Sequence, residues 1–144
     1  MPVFVDTNLL VYSRDGTEQV KQPQARDWLA FLWESHEGRL SFQVLHEFYV
    51  SVTRKLKPGL SAEEAQADVR DLLAWRPITA DAALIEATWG LERRYGLSFW
   101  DALIVASASA AGCTHLLTED LQHDQDLDGV VVVNPFLRQP GRLA

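Results

Sequence analysis

Met1-Pro2-Val3-Phe4-Val5-Asp6-Thr7-Asn8 is an apolar run that ends in a carboxylate and in two residues typical of helix starts. Residues 1–5 predict a buried central strand of a parallel sheet, because such strands are short and continuously apolar. A helix is expected from Leu9. Since the ligands of open α/β sheets bind at the carboxyl ends of the strands, Asp6 is predicted to lie at a functional site.

The composition indicates one domain over residues 1–144, with 47% hydrophobic and 23% charged residues. Cys113 is the only cysteine, which excludes a disulfide framework and a thiolate zinc site. No export signal is recognisable, and the longest apolar stretch, residues 102–106, is too short to cross a membrane. We therefore expect a cytoplasmic protein without membrane contact.

Predicted strands alternate with predicted helices along the whole chain. Strands are expected at residues 1–5, 40–42, 76–79, 114–118 and 130–133. Helices are expected at residues 9–13, 21–37, 43–57, 81–95 and 98–111, with Gly38 closing the second and a further helix opening at the capping box of Ser61 and Glu64. Residues 119–129 are expected to form an acidic loop. This alternation predicts a three-layer α/β/α fold with a parallel, flavodoxin-like sheet of about five strands.

Four acids are placed by this pattern at one edge of the sheet. Asp6 and Asp120 follow strands, whereas Glu47 and Asp101 lie in the first turns of helices. Four carboxylates repel one another unless a cation joins them, and oxygen ligands suit one or two Mg²⁺ or Mn²⁺ ions. Such ions activate water and stabilise the leaving oxygen of a phosphodiester, so the cluster predicts a nuclease.

Each acid alone also has an ordinary explanation. Asp6 can cap a helix, Asp101 can complete a capping box with Ser98, Glu47 can be a surface helical residue and Asp120 a loop acid. The functional interpretation therefore depends on the four acids acting together.

The net charge of -7 is unusual for a protein that binds RNA, because phosphate affinity comes from Lys and Arg. Two basic clusters, Arg54-Lys55-Leu56-Lys57 and Arg93-Arg94, partly offset it. Solvated helix ends explain either cluster equally simply.

Four segments resemble the motifs of PIN-domain ribonucleases, and their order resembles that of the VapC toxins of toxin-antitoxin pairs. They are Val5-Asp6-Thr7-Asn8-Leu9-Leu10-Val11-Tyr12, Val44-Leu45-His46-Glu47-Phe48, Phe99-Trp100-Asp101-Ala102-Leu103-Ile104-Val105-Ala106 and Leu116-Leu117-Thr118-Glu119-Asp120-Leu121. The resemblance implies that Asp6 and Asp101 are the principal metal ligands and that Glu47 and Asp120 complete the catalytic pocket.

The same resemblance assigns supporting hydrogen bonds to Thr7, Asn8 and Thr118, and leaves open whether Asp124 assists. It implies cleavage of tRNA or rRNA. It also implies a homodimer and a VapB-type antitoxin that binds it in a heterotetramer or larger assembly.

Three other interpretations fit parts of the pattern. A receiver-like phosphoacceptor domain needs paired acids after the first strand and a lysine after the last, but the only lysines are Lys21, Lys55 and Lys57. A hydrolase of small phosphate esters needs an acid where Asn8 stands. A catalytically inactive PIN-like binding module is the remaining alternative.

Overall fold

The computed structural model describes residues 1–143 and contains a five-stranded sheet. The strands are β1 Val3–Val5, β2 Gly38–Arg39, β3 His115–Leu117, β4 Asp126–Leu127 and β5 Val130–Val133. Their order is β2-β1-β3-β5-β4, and only β4 runs antiparallel to its neighbour. The predicted α/β fold with a mostly parallel sheet of five strands is therefore confirmed.

Strand β1 lies inside the sheet, between β2 and β3, and all three of its side chains are buried. The register pairs Val5 with Leu117, so β1 and β3 end side by side. The backbone N–H of Asp6 continues this ladder to the carbonyl of Leu117 at 3.1 Å. The residues that follow β1 and β3 are thereby brought to one place.

Six α-helices accompany the sheet. They are α1 Thr7–Arg14, α2 Lys21–Ser35, α3 Phe42–Val50, α4 Ala62–Leu72, α5 Ala82–Tyr95 and α6 Phe99–Ala110, with a π-helical segment Ser51–Lys55 and a 3₁₀ turn Leu73–Trp75. The predicted capping box of Ser61 and Glu64 is confirmed. Within residues 1–143, no helix has both the length and the apolarity needed to span a bilayer.

Helix α2 and the second strand differ from the sequence prediction. The helix ends at Ser35, because His36 adopts a left-handed conformation with φ 59°. Gly38 is a buried strand residue instead of a helix stop, and a β-carbon there would lie 2.8 Å from the indole of Trp75. Strand β2 therefore begins two residues earlier than predicted, where close packing requires glycine.

One further strand prediction and one loop prediction were wrong. Residues 76–79 form a single bridge between Ile78 and Ser41 and no regular strand. The predicted acidic loop 119–129 contains β4, which forms a hairpin with β5 through Asp128 and Gly129, both at positive φ. An Asp-Gly pair is a typical two-residue hairpin turn. In the sequence, Asp128 is instead interpreted as one of several loop acids, together with Asp124 and Asp126.

Candidate active site

The end of β1 opens into a cleft of about 370 Å³. Its lining residues come from the first turns of α1, from α3 and from the segment after β3: Asp6, Thr7, Asn8, Val11, Tyr12, Glu47, Ser51 and Asp120. Three of the four predicted acids therefore share one cleft, although they are separated along the chain.

Asp6 is the most buried acid of this cleft. It occupies the N-cap of α1, where Oδ1 accepts a hydrogen bond from the backbone N–H of Thr7 at 2.7 Å. Its other oxygen, Oδ2, accepts a hydrogen bond from the hydroxyl of Thr118 at 2.8 Å. Asp6 therefore both caps helix α1 and lines the cleft.

Burial raises the pKa of Asp6 from 3.8 to about 6. Hydrogen bonds from Thr118 and Thr7 lower this pKa, whereas the charges of Asp120 and Glu47 raise it further. The carboxylate is consequently costly to ionise near neutral pH unless a cation balances it.

Glu47 reaches the cleft from α3 and is linked to α1 across the cleft wall. Its Oε2 accepts a hydrogen bond from the Thr7 hydroxyl at 2.8 Å, and its Oε1 accepts one from the Gln43 amide at 3.0 Å. These two donors orient both carboxylate oxygens of a side chain that is otherwise exposed.

Thr118 connects the remaining groups. The side chain is fully buried, and its hydroxyl accepts a hydrogen bond from the backbone N–H of Asp120 at 3.1 Å while donating to Asp6. The Asn8 amide donates to Asp120 Oδ2 at 3.1 Å, whereas Asn8 Oδ1 is buried without a hydrogen-bond partner. This Asn8 oxygen is a further hard ligand atom for a metal ion beside the carboxylates.

Two further predicted acids, Asp101 and Asp124, are not among the residues that line this cleft. Asp101 lies in the first turn of α6, where its backbone N–H donates to the Ser98 hydroxyl at 3.2 Å, and its carboxylate has no hydrogen-bond partner within residues 1–143. Asp124 has a left-handed backbone, and its exposed carboxylate pairs with Arg138 at 2.8 Å. The Asp124 carboxylate is thus engaged elsewhere, and its assistance to the site stays a prediction.

Sequence reasoning missed one group beside the cleft. The Lys21 ammonium donates to Glu119 at 2.8 Å, and the Tyr12 hydroxyl donates to the same carboxylate. Burial raises the pKa of Glu119, but these two hydrogen bonds outweigh it, so the pKa is lower than usual. Glu119 thus has its own cation, whereas the adjacent Asp120 forms no ion pair within residues 1–143. The 98-residue separation of Lys21 and Glu119 leaves no local sequence signal.

The cleft fits a divalent cation in its donor chemistry. Within the described part of the chain, no three acidic, histidine or cysteine side chains form a ready-made metal cluster. The carboxylates of Asp6, Glu47 and Asp120 nevertheless line one cleft, and the pKa of Asp6 is raised first by burial and then by the charges of Asp120 and Glu47. Carboxylate and amide oxygens are the donors that Mg²⁺ and Mn²⁺ prefer.

The family model of the PIN domain matches residues 3–125, and the chain therefore belongs to the PIN-domain family. This membership confirms the resemblance seen in the four motifs and excludes the receiver-like alternative. No curated protein matches the sequence.

Three solved structures similar to this chain are described as toxins or toxin complexes. A toxin-antitoxin complex from Klebsiella pneumoniae is 21% identical with a TM-score of 0.65, covering 94% of this chain and 98% of that one. Mycobacterium tuberculosis VapC20, a sarcin-ricin loop cleaving toxin, is 25% identical with a TM-score of 0.60, covering 82% and 91%. Rickettsia felis VapBC2 bound to a promoter DNA fragment is 18% identical with a TM-score of 0.56, covering 93% and 98%.

Proposed function

We propose that this chain is the toxin of a type II toxin-antitoxin system and a Mg²⁺- or Mn²⁺-dependent endoribonuclease. Membership of the PIN-domain family and the likeness to VapC20, which cleaves the sarcin-ricin loop, support an RNA-cleaving hydrolase. The observation that carries the proposal is the shared cleft of Asp6, Glu47 and Asp120, whose carboxylates form no ion pair within residues 1–143.

In this proposal, Asp6, Glu47 and Asp120 hold one or two divalent ions together with Asp101, which the family resemblance makes a principal ligand. When bound there, such an ion would supply Lewis-acid chemistry, which lowers the pKa of water and offsets charge on the phosphate and the leaving oxygen. The reaction is a hydrolysis: the water oxygen bonds to phosphorus, the bond from phosphorus to one sugar oxygen breaks, and a proton lost by the water ends on that sugar oxygen as a hydroxyl.

The protein's own groups fix the ligands before any substrate arrives. Thr7 and Thr118 donate to the carboxylates of Glu47 and Asp6, and the Asn8 amide donates to Asp120. Each donor restricts one carboxylate rotamer, so little reorganisation is needed at the moment of reaction. This is the supporting role that the resemblance assigns to these three side chains.

Partners follow from the same comparisons. Two of the similar structures are described as toxin-antitoxin or VapBC complexes, which supports a VapB-type antitoxin that binds this chain and blocks cleavage. We also propose a homodimer, because Ile85 and Trp89 form an exposed apolar pair on one face of α5. A choice between tRNA and rRNA, and a cytoplasmic location, stay predictions.

The test is cleavage of total cellular RNA by the purified, antitoxin-free chain in Mg²⁺ or Mn²⁺, with EDTA as a control and with the fragment ends sequenced. Discrete cuts are expected, and Asp6→Asn and Asp101→Ala should abolish them. Asp27→Asn is the matched control, because it removes an exposed acid of α2 that does not line the cleft and should leave cleavage intact.

The competing function is a binding module without turnover, which the lack of a ready-made metal cluster within residues 1–143 favours. Absence of cuts from a folded wild-type sample in both metals would support that module and contradict the ribonuclease. Cuts that persist in Asp6→Asn would show that the described cleft is not the active site.

A further inference from the structure

Arg54, Lys55 and Lys57 form a group of exposed cations that the active site does not account for, and we call them the basic arm. Within residues 1–143, none of the three side chains has a hydrogen bond or an ion pair. By contrast, Arg14, Lys21, Arg94 and Arg138 are all paired with carboxylates. The basic arm is therefore a concentration of unneutralised positive charge on a chain of net charge -7.

The arm continues the helix that carries Glu47. Helix α3 ends at Val50 and passes directly into the π-helical segment Ser51–Lys55. Glu47, Ser51 and Lys55 follow one another at intervals of four residues, a spacing that places side chains on one face of a helix. Glu47 and Ser51 both line the acidic cleft, and Lys55 lies one turn further along the same continuous helical segment, so the basic arm begins where this wall of the cleft ends.

The backbone of the arm is held firmly against the core. Val52 is fully buried, and Leu56 and Leu60 pack on the core as partly buried residues. The Leu56 N–H donates to the Ser51 carbonyl at 2.9 Å, which is the π-type bond, and the Leu60 N–H donates to the Val52 carbonyl at 2.9 Å. A β-carbon at Gly59 would lie 2.9 Å from two backbone oxygens of this turn, so close chain approach fixes the arm.

We propose that the basic arm binds the phosphate backbone of the RNA strand beside the bond that the cleft hydrolyses. The inference rests on the proposed ribonuclease function and adds its substrate contact. A cleft lined by carboxylates repels a polyanion, so positive charge at its rim has to supply the attraction. Within residues 1–143, the three side chains have no hydrogen bond or ion pair that RNA binding would have to break. Their backbone is already packed on the core, so binding costs little reorganisation.

The test compares the wild type with a variant in which Arg54, Lys55 and Lys57 are all replaced by Gln. Affinity for a short labelled single-stranded RNA is measured by fluorescence anisotropy in EDTA, between about 50 mM and 200 mM salt. Since each phosphate contact on a single strand contributes about 0.7 to the salt slope, the slope should fall by about 2, and affinity near 100 mM salt should fall by about 10-fold to 100-fold. In Mg²⁺, KM for RNA should rise while kcat stays unchanged.

Two matched variants separate position from charge. R54K/K55R/K57R keeps the three charges and should bind RNA within about twofold of the wild type. R70Q/R76Q removes exposed cations in α4 and after the 3₁₀ turn, outside the segment that continues α3. It should change the salt slope by less than about 0.7, the contribution of one phosphate contact. Thermal unfolding monitors the fold of each variant.

Each outcome decides one of the two proposals. Unchanged affinity and salt slope in the Gln triple variant, or an equal loss in R70Q/R76Q, would overturn the basic arm even if RNA is cut normally. Loss of antitoxin binding with RNA affinity intact would also overturn it, and would assign the arm to that partner. Arm-dependent RNA binding without any cleavage would support the arm and contradict the ribonuclease.

Discussion

Replacing Asp6 with Asn tests the charge imbalance of the cleft directly. The pKa of Asp6 rises from 3.8 to about 6, and at about 1.36 kcal/mol for each pH unit this difference corresponds to about 3 kcal/mol. The pKa of Asp6 is higher in the folded than in the unfolded chain, so protonated Asp6 favours folding relative to ionised Asp6. This contribution to the free energy of unfolding is fully present below pH 3.8 and is lost as pH rises through about 6. Near pH 7 the wild type therefore folds with the full cost of the buried charge.

The asparagine of the Asp6→Asn variant carries no charge and so avoids this cost. It keeps an acceptor for the Thr7 N–H, but its amide meets the Thr118 hydroxyl in place of a carboxylate oxygen, at a cost of about 1 kcal/mol. Without divalent ions, Asp6→Asn should thus unfold with a free energy about 2 kcal/mol higher than the wild type near pH 7. Below about pH 4 the advantage should disappear.

Urea unfolding followed by tryptophan fluorescence measures this difference, since Trp28 and Trp75 are buried and become exposed on unfolding. Added Mg²⁺ should stabilise the wild type by about 2.7 kcal/mol at 100 times its Kd and leave Asp6→Asn nearly unchanged. A stability difference that is constant from pH 4 to pH 7, or a variant less stable than the wild type near neutral pH, would refute the reasoning.

Two further substitutions probe how the site and the sheet are built. Thr118→Val removes the hydroxyl that joins Asp6 to the Asp120 backbone, so the free energy of unfolding should fall by about 1–3 kcal/mol and RNA cleavage should weaken. Normal stability and cleavage in this variant would count against the network. Gly38→Ala forces a methyl group against Trp75 and should cost about 1–3 kcal/mol in urea unfolding. Gly90→Ala, in a helix with open space around the added carbon, is its control and should gain up to about 1 kcal/mol.

The sequence predicted what depends on local pattern. The apolar run before Asp6 and the alternation of strands and helices were enough to place the acids after β1 and β3 at one edge. The paired strand ends bring Asp6 and Asp120 together through backbone hydrogen bonds that any residue can make, which is why their proximity was predictable.

Long-range packing explains what the sequence did not predict. Gly38 looked like a helix stop, and only its contact with Trp75 makes it a strand residue. The pairing of Lys21 with Glu119 depends on two distant segments meeting, and no periodicity reports it. Asp101 illustrates the converse, because its position in the first turn of α6 was correctly predicted without revealing where its carboxylate lies.

The dependence of the cleft on Thr118 has a consequence for the synthesis of the chain. Asp6 emerges from the ribosome early, but the hydroxyl that orients it comes 112 residues later, and the Thr118 N–H is itself bonded to the carbonyl of Val133 in β5. A nascent polypeptide therefore lacks an organised cleft until Thr118 and β5 have both been translated. On the proposed function, ribonuclease activity of the nascent chain begins only after β5 has left the ribosome and joined the sheet.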